Sequence, residues 1–448
     1  MIKKVIYLAI LIACHHLSAQ EAPTQLSLQE AIDFALENNR SVINAGRDID
    51  AAIEQKWETT ASGLPQISAD VDYQNNLKQQ IQVIPAELFG GAPGEFAEVV
   101  FGTKHSMTAF ATLNQKIFDG SYIVALQSAK VFLEISKNAK TKTDLQVRQS
   151  VIDAYGNVLL AEESIAIFNR NIEVLEKNLY ETNKIYENGL EEEESVEQLK
   201  ITLTGVKSSL NNTERLKTIA YQMLNINLGL DVYNPLILTD DLAELTEENK
   251  SLALLNTEEN PENTIDYQIA KNDTEAKALM LKLEKSKALP TLNAFINGGY
   301  SSYSDDFAFT KKSQDWFGSS LFGLNLSIPI FSSGMRSAST QRASINLDKS
   351  KTDLLETEQR IKLQIASAKS DYQFAMEDFE NKKESLKLAE RIEQKNQTKF
   401  FEGIGSSFEL RQAQTQLYTA QQELLQAMLD VVNSKAALET ALNVVSLN

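Results

Sequence analysis

Side chains able to do covalent or acid–base chemistry are scarce in this chain of 448 residues, which has three histidines, His15, His16 and His105, and one cysteine, Cys14. A lone thiol forms no disulfide framework, and one imidazole in the body of the chain gives neither zinc-finger spacing nor a Cys–His nucleophile pair. No enzyme chemistry, metal site or cofactor is expected, and His105 reads as a surface or loop residue. One spacing does suggest covalent chemistry. Leu11-Ile12-Ala13-Cys14 has the Leu-x-small-Cys order of a bacterial lipoprotein signal, which would leave a lipidated Cys14 as first residue. Its rival is cleavage near Ala19, in Leu17-Ser18-Ala19-Gln20. Either way, Lys3-Lys4 followed by apolar Val5 to Ala13 reads as a secretory leader over residues 1–20. Its removal takes two lysines and no acids, moving the formal charge from -18 to -20. So acidic a chain repels polyphosphate, and neither common Gly-rich phosphate loop occurs, which argues against nucleic-acid binding and nucleotide hydrolysis.

The elements that carry these residues are unusually long. All eight prolines lie at 23, 65, 85, 93, 235, 261, 290 and 329, leaving two wide proline-free tracts that invite helices. Four landmarks recur in one order at nearly one displacement. Leu64-Pro65 returns as Leu289-Pro290, and Ile117-Phe118 as Ile330-Phe331. Tyr186-Glu187-Asn188-Gly189 returns as Phe400-Phe401-Glu402-Gly403, and Ser195-Val196-Glu197 as Ser407-Phe408-Glu409. Each copy reads helix, strand, loop, strand, long helix, glycine tip, return helix. A capping box, Ser27-Leu28-Gln29-Glu30, starts an opening helix expected over 27–62. The long helices, about 121–186 and 335–400, would each run about 100 Å at 1.5 Å per residue. In each copy the opening and return helices together match one long helix, as in a cylinder wall of antiparallel rods. The expected organisation is a leader (1–20), a first repeat (21–230), an acidic connector (231–262) read as a solvated surface loop, and a second repeat (263–448). Strands are expected at about 64–79, 104–118, 289–301 and 318–331, with helical hairpins at about 120–230 and 333–446.

No apolar run after the leader reaches the roughly 18 residues of a spanning helix, so membrane insertion would have to use strands. From Gln66 to Gln74 the chain alternates, with Ile67, Ala69, Val71 and Tyr73 on one face and Ser68, Asp70 and Asp72 on the other. The other three strands alternate likewise, as a sheet between lipid and water does. Four strands cannot close a barrel, because the smallest membrane barrels have about eight and lipid tolerates no open edge. Subunits must therefore pool strands. Tyr300, Tyr303, Trp316 and Phe317 around one hairpin, and Phe101 and Phe110 around the other, suggest aromatic girdles. Loops 80–104 and 301–317 would face outward, and Phe89, Phe96 and Phe101 suggest that the first folds inward or packs on neighbours.

This order of elements, Leu26-Ser27-Leu28-Gln29-Glu30-Ala31-Ile32 at its start and the paired Tyr/Phe-x-x-Gly tips resemble the TolC family of outer-membrane efflux ducts, over about residues 26–445. The resemblance implies a mainly α fold with membrane β: a homotrimer with a 12-stranded outer-membrane barrel on a long periplasmic helical barrel. It implies outer-membrane lipid, a periplasmic adaptor (membrane fusion) protein and an inner-membrane resistance-nodulation (RND) or ABC pump as partners. It also implies a passive export duct for efflux or type I secretion. In the family an acid six positions after the second tip glycine lines the periplasmic entrance, which falls here on Glu409, and Glu197 is taken as its first-copy counterpart. A second family acid falls on Gln412, so one carboxylate ring is kept and the other is lost. Three copies of Glu409 around one axis would favour cations. An arginine and tyrosine that lock some relatives are here Gly405 and Phe400. The tips Tyr186, Gly189 and Leu190, and Phe400, Gly403 and Ile404, would turn the hairpins and meet the adaptor. The alternatives are a periplasmic coiled-coil adaptor or a structural protein without a pore.

Overall fold

The computed structural model describes residues 23–444; the expected leader and Cys14 lie outside them. The chain divides into two units. One comprises the chain up to Ile49, Ser136–Lys271 and the chain from Asp353, and the other Asp50–Ile135 with Asn272–Thr352.

In the first unit β1 (Gln25–Leu26) leads into α1 (Leu28–Asn38), which starts at the Ser27/Glu30 capping box. The single opening helix expected over 27–62 is broken. Asn39 is extended, with ψ 131°, and α2 (Arg40–Ala61) begins after it. The physical reason is that Asn39 serves both sides of the break. Its Oδ1 accepts from the Ser41 N–H at 2.8 Å, and its Nδ2 donates to the Asn227 carbonyl at 2.7 Å.

In the second unit, β2 (Gln66–Asn75), β3 (Ile81–Pro85), β4 (Phe96–Val100) and β5 (His105–Asp119) follow. The chain then enters α3 (Gly120–Glu187, 68 residues), turns, and returns as α4 (Glu193–Leu228, 36 residues). Gly229 ends α4 at φ 82° against the break at Asn39: a Cβ there would stand 2.2 Å from the Asn38 carbonyl oxygen. Only glycine fits such a position.

The acidic connector is not the solvated loop expected from its composition. It carries β6 (Ile237–Leu238), which pairs in parallel with β1, and the short helices α5 (Leu242–Glu248) and α6 (Leu252–Leu255). Asp240 accepts from the Leu28 N–H at 2.7 Å and from the Tyr155 hydroxyl at 3.0 Å. Burial, and then the Asp240 charge, push the Tyr155 phenol well above its ordinary range. Glu247 pairs with Lys250 at 2.6 Å and with Lys383 at 3.3 Å. The acids thus fasten the connector to α1, to α3 and to the helix that carries Lys383.

The second half repeats the lengths of the first. Its elements are α7 (Ile265–Ser286), β7 (Thr291–Ser304), β8 (Phe317–Ser327), α8 (Met335–Phe401, 67 residues) and α9 (Ser407–Leu442, 36 residues). Helices α2 and α7 both have 22 residues. Where Asn39 and Gly229 join α4 to α2, Asn443 at φ 53° ends α9 and donates to the Asn263 carbonyl at 2.6 Å, beside the start of α7. The expected strand 318–331 stops at Ser327, because Pro329 has no N–H to donate, and Arg336 instead holds the Pro329 and Ile330 carbonyls. The expected 64–79 strand stops at Asn75, where Asn75-Asn76 are poor strand formers.

The core of the first unit forms two main clusters. One joins Ile32, Ala35, Val151, Tyr155, Leu224 and Leu228, and the other joins Ile365, Tyr372, Phe379, Leu424, Val431 and Leu438. Among the described residues no helix is long and apolar enough to cross a membrane.

Candidate functional site

Two places in the chain could act: the hairpin tips and the faces of the sheet. At the tips, α3 and α8 end alike. Gly189 (φ 76°) and Gly403 (φ 75°) adopt the left-handed conformation. The Gly189 N–H donates to the Tyr186 carbonyl at 2.8 Å and the Leu190 N–H to Ile185 at 3.1 Å. The Gly403 and Ile404 N–H groups donate to Phe400 and Lys399, each at 3.0 Å. These are Schellman endings, in which the residue after the glycine usually packs back on its own helix. Here Leu190 and Ile404 remain 79% and 74% exposed, so each tip presents an apolar side chain outward, and Phe408 is exposed beside the second. Tyr186 is partly exposed, whereas Phe400 is buried and meets Phe401 edge to face at 5.3 Å.

The return helices start differently. Ser406 and Glu409 form a capping box: the Glu409 N–H donates to Ser406 Oγ, and Glu409 Oε2 accepts from the Ser406 N–H, both at 3.2 Å. Glu409 is exposed on the first turn of α9 and makes no ion pair among the described residues. Glu192, the residue before α4, makes no side-chain cap bond. Counted from the tip glycines, the position matching Glu409 is Ser195, because the helix starts are displaced by 214 residues, from 193 to 407, whereas the register that sets Ser195 against Ser407 matches Glu409 to Glu197. Ser195 is buried, with its Oγ 2.7 Å from Glu191 Oε1 and 2.8 Å from Ser407 Oγ. This contact sets the two tips side by side. Glu197 and Gln412 are both exposed, each on the early turns of its helix.

A feature that the sequence reading missed lies between the tips and the core. Asn178 and Thr182 on α3, Glu393 and Gln397 on α8, and Gln414 and Tyr418 on α9 are three pairs spaced i, i+4. Gln397 Nε2 donates to Asn178 Oδ1 at 3.1 Å. Asn178, Thr182 and Gln414 are almost wholly buried, and among the described residues Asn178 Nδ2, Thr182 Oγ1 and both amide atoms of Gln414 have no hydrogen-bond partner. Burial pushes the Glu393 carboxyl up. The only signal in the sequence was polar residues falling where Leu175 and Leu179 set an apolar stripe.

The sheet runs in the order β2-β5-β7-β8, antiparallel throughout, so β2 and β8 each have an unpaired edge. The register sorts its side chains. Ile67, Val71 and Tyr73 share a face with Met107, Leu113, Ile296, Tyr300, Phe322, Leu324 and Leu326, and no Asp, Glu, Lys or Arg of the sheet stands on it. The opposite face holds Asp70, Asp72, Thr108, Thr112, Asn297 and Asn325. The apolar face is uncovered over much of its area: Ile67 is 74% and Phe322 67% exposed.

At one end of the apolar face Tyr73 meets Phe307 and Phe309 edge to face at 5.5 and 6.0 Å, and Phe309 meets Trp316 at 6.4 Å. Of the expected girdle, Phe110, Tyr303 and Phe317 fall on the polar face, because their register parity is odd relative to Tyr73. His105 is not a surface residue: it is buried, and its Nδ1 lies 2.9 Å from the Tyr73 hydroxyl.

The chain matches the family described as outer membrane efflux protein over residues 31–230 and 268–444. It is 22% identical to outer membrane protein TolC of Vibrio cholerae serotype O1 over 428 residues, covering 94% of this chain and 91% of that protein. Among solved structures, that of CusC superposes with a TM-score of 0.74 at 18% identity, covering 93% of this chain and 92% of that one. VceC of Vibrio cholerae gives 0.71 at 16%, covering 93% and 95%.

Proposed function

Because the chain belongs to the outer membrane efflux protein family, we propose that it is the outer-membrane channel-tunnel of an efflux system, a passive duct from periplasm to exterior. The carrying observation is a four-stranded sheet with one uncovered, charge-free face and two unpaired edges. Lipid can cover such a face but cannot satisfy the edges. Three copies, each pairing its β2 with a neighbour's β8, close a barrel of twelve strands with the apolar faces outward, within the range of known membrane barrels. The helices then form the periplasmic wall, and the repeats are two parts of that wall joined by the connector 231–262. Loops 80–104 and 301–317 face the exterior. An adaptor built on one hairpin would need neither two hairpins nor a membrane-type sheet.

The tips form the periplasmic end. Glu409 stands there once per copy, exposed and without a cation partner among the described residues, as a carboxylate ring at an entrance requires. Leu190 and Ile404 offer apolar contacts to a periplasmic adaptor, and the energy comes from an inner-membrane pump. The test is extraction from outer membranes followed by planar-bilayer recording. A trimer that conducts, with weaker cation preference in Glu409→Gln, supports the reading. A monomer without conductance refutes it, and an unchanged reversal potential removes Glu409 from the entrance.

A further inference from the structure

The connection between β2 and β5 is a built structure. The ladder runs on past Asn75: the Asn76 N–H donates to the Lys104 carbonyl at 2.8 Å, and Gln79 Nε2 donates to Gly102 at 3.0 Å. Strands β3 and β4 then pair from Ile81↔Val100 to Pro85↔Phe96. A 3-10 turn, Ala86–Phe89, closes the end, with Gly90 at φ 85° and the Gly94 N–H bonded to Glu87 Oε1 at 3.2 Å. The base is tied to the β7–β8 connection by the Lys104 N–H donating to Asp305 Oδ1.

This ribbon carries apolar residues on both faces. Ile81, Val83, Pro85, Phe96 and Val100 stand on one, with Glu98 opposite Val83, and Ile84, Ala97 and Val99 on the other, with Gln82 opposite Val99. Phe89 and Phe96 are 66% and 69% exposed. A two-stranded ribbon is marginal in water by itself, and so large an apolar patch marks a contact surface. Lipid is a poor occupant, because Glu87, Glu95 and Glu98 cluster on the end half, and carboxylates are costly in hydrocarbon and repelled by an anionic surface. A second copy of this chain is a good one. The ribbon rises directly from β2, whose unpaired edge is where a neighbour must join. A threefold ring also needs two different patches on each member, and the ribbon offers two faces.

We propose that the β3–β4 ribbons of three copies pack face to face in a ring, making an apolar collar that narrows the outer mouth of the channel. The proposal rests on the channel reading above. It is tested on the full-length protein in two ways. With Val83→Cys and Ile84→Cys together, a bifunctional thiol reagent should yield covalently linked trimers that the wild-type chain, carrying only Cys14, does not. Replacing residues 80–101 by a short Gly-Ser turn should raise single-channel conductance about twofold or more. Should that deletion fail to assemble, the milder pair Val83→Ser and Phe96→Ser should give the same direction of change. Intact conducting trimers with no cross-link and unchanged conductance overturn the collar. Absence of trimer and conductance in the unaltered protein overturns the channel reading instead.

Discussion

At the scale of single residues, roles are decided by what surrounds a side chain rather than by its type. Glu393 is a carboxylic acid in a seam of amides and two hydroxyls, and burial raises its folded pKa above the ordinary 4.5. The unfolded chain therefore releases this proton first. Stability falls as pH rises from the ordinary value through the raised one, and is full below that window. Amide protection factors of the α8–α9 hairpin, corrected for the intrinsic pH dependence of exchange, should be higher at pH 5 than at pH 8, and Glu393→Gln should flatten the difference. Equal protection at both pH values in the wild type would remove Glu393 from the seam. Ser406 poses a separate question. Its loss in Ser406→Ala should cost about 1 kcal/mol locally and speed exchange in the first turn of α9. The matching position before α4, Glu192, has no cap bond to lose, so Glu192→Ala should change little there.

At the scale of elements, the chain's pattern announced helices, strands and tips well, because proline avoidance, strict alternation and tip glycines are local signals. Contacts between distant segments were illegible. Asn39 looked like one more polar residue in a helix, and its break depends on Asn227, far along the chain. Asp240 belonged to an acidic run, and only its approach to Tyr155 and Leu28 makes it a fastening. At the tips, the contact of Ser195 with Ser407 joins residues 212 apart in the chain. One consequence can be measured at Gly229, where both the positive φ and the Asn38 carbonyl exclude a Cβ. Gly229→Ala should destabilise by about 2 kcal/mol or more, read as a lower thermal midpoint, whereas Gly205→Ala inside α4, with open space around it, should be neutral or stabilising.

At the scale of the whole molecule, the two faces of the sheet make opposite predictions for neighbouring residues. If the apolar face meets lipid as proposed, Val71→Lys puts a cation there at a cost of about 2–4 kcal/mol at mid-membrane and should prevent assembly in the outer membrane. Asp70→Lys, one residue away on the polar face, should assemble normally and shift ion preference toward anions. If both variants assemble equally, the assignment of the faces is wrong.

The two tips also set a stoichiometry. They share one backbone turn, with φ within a degree, yet only the second is sealed by a serine–glutamate box. A partner that grips the bare apolar knob finds two equivalent handles per chain, Leu190 and Ile404, and can bind in pairs. A partner that reads the sealed turn finds one. If the tips meet an adaptor as proposed, the chain carries a twofold address and a singular one, and counting adaptor subunits per channel subunit tells which is read.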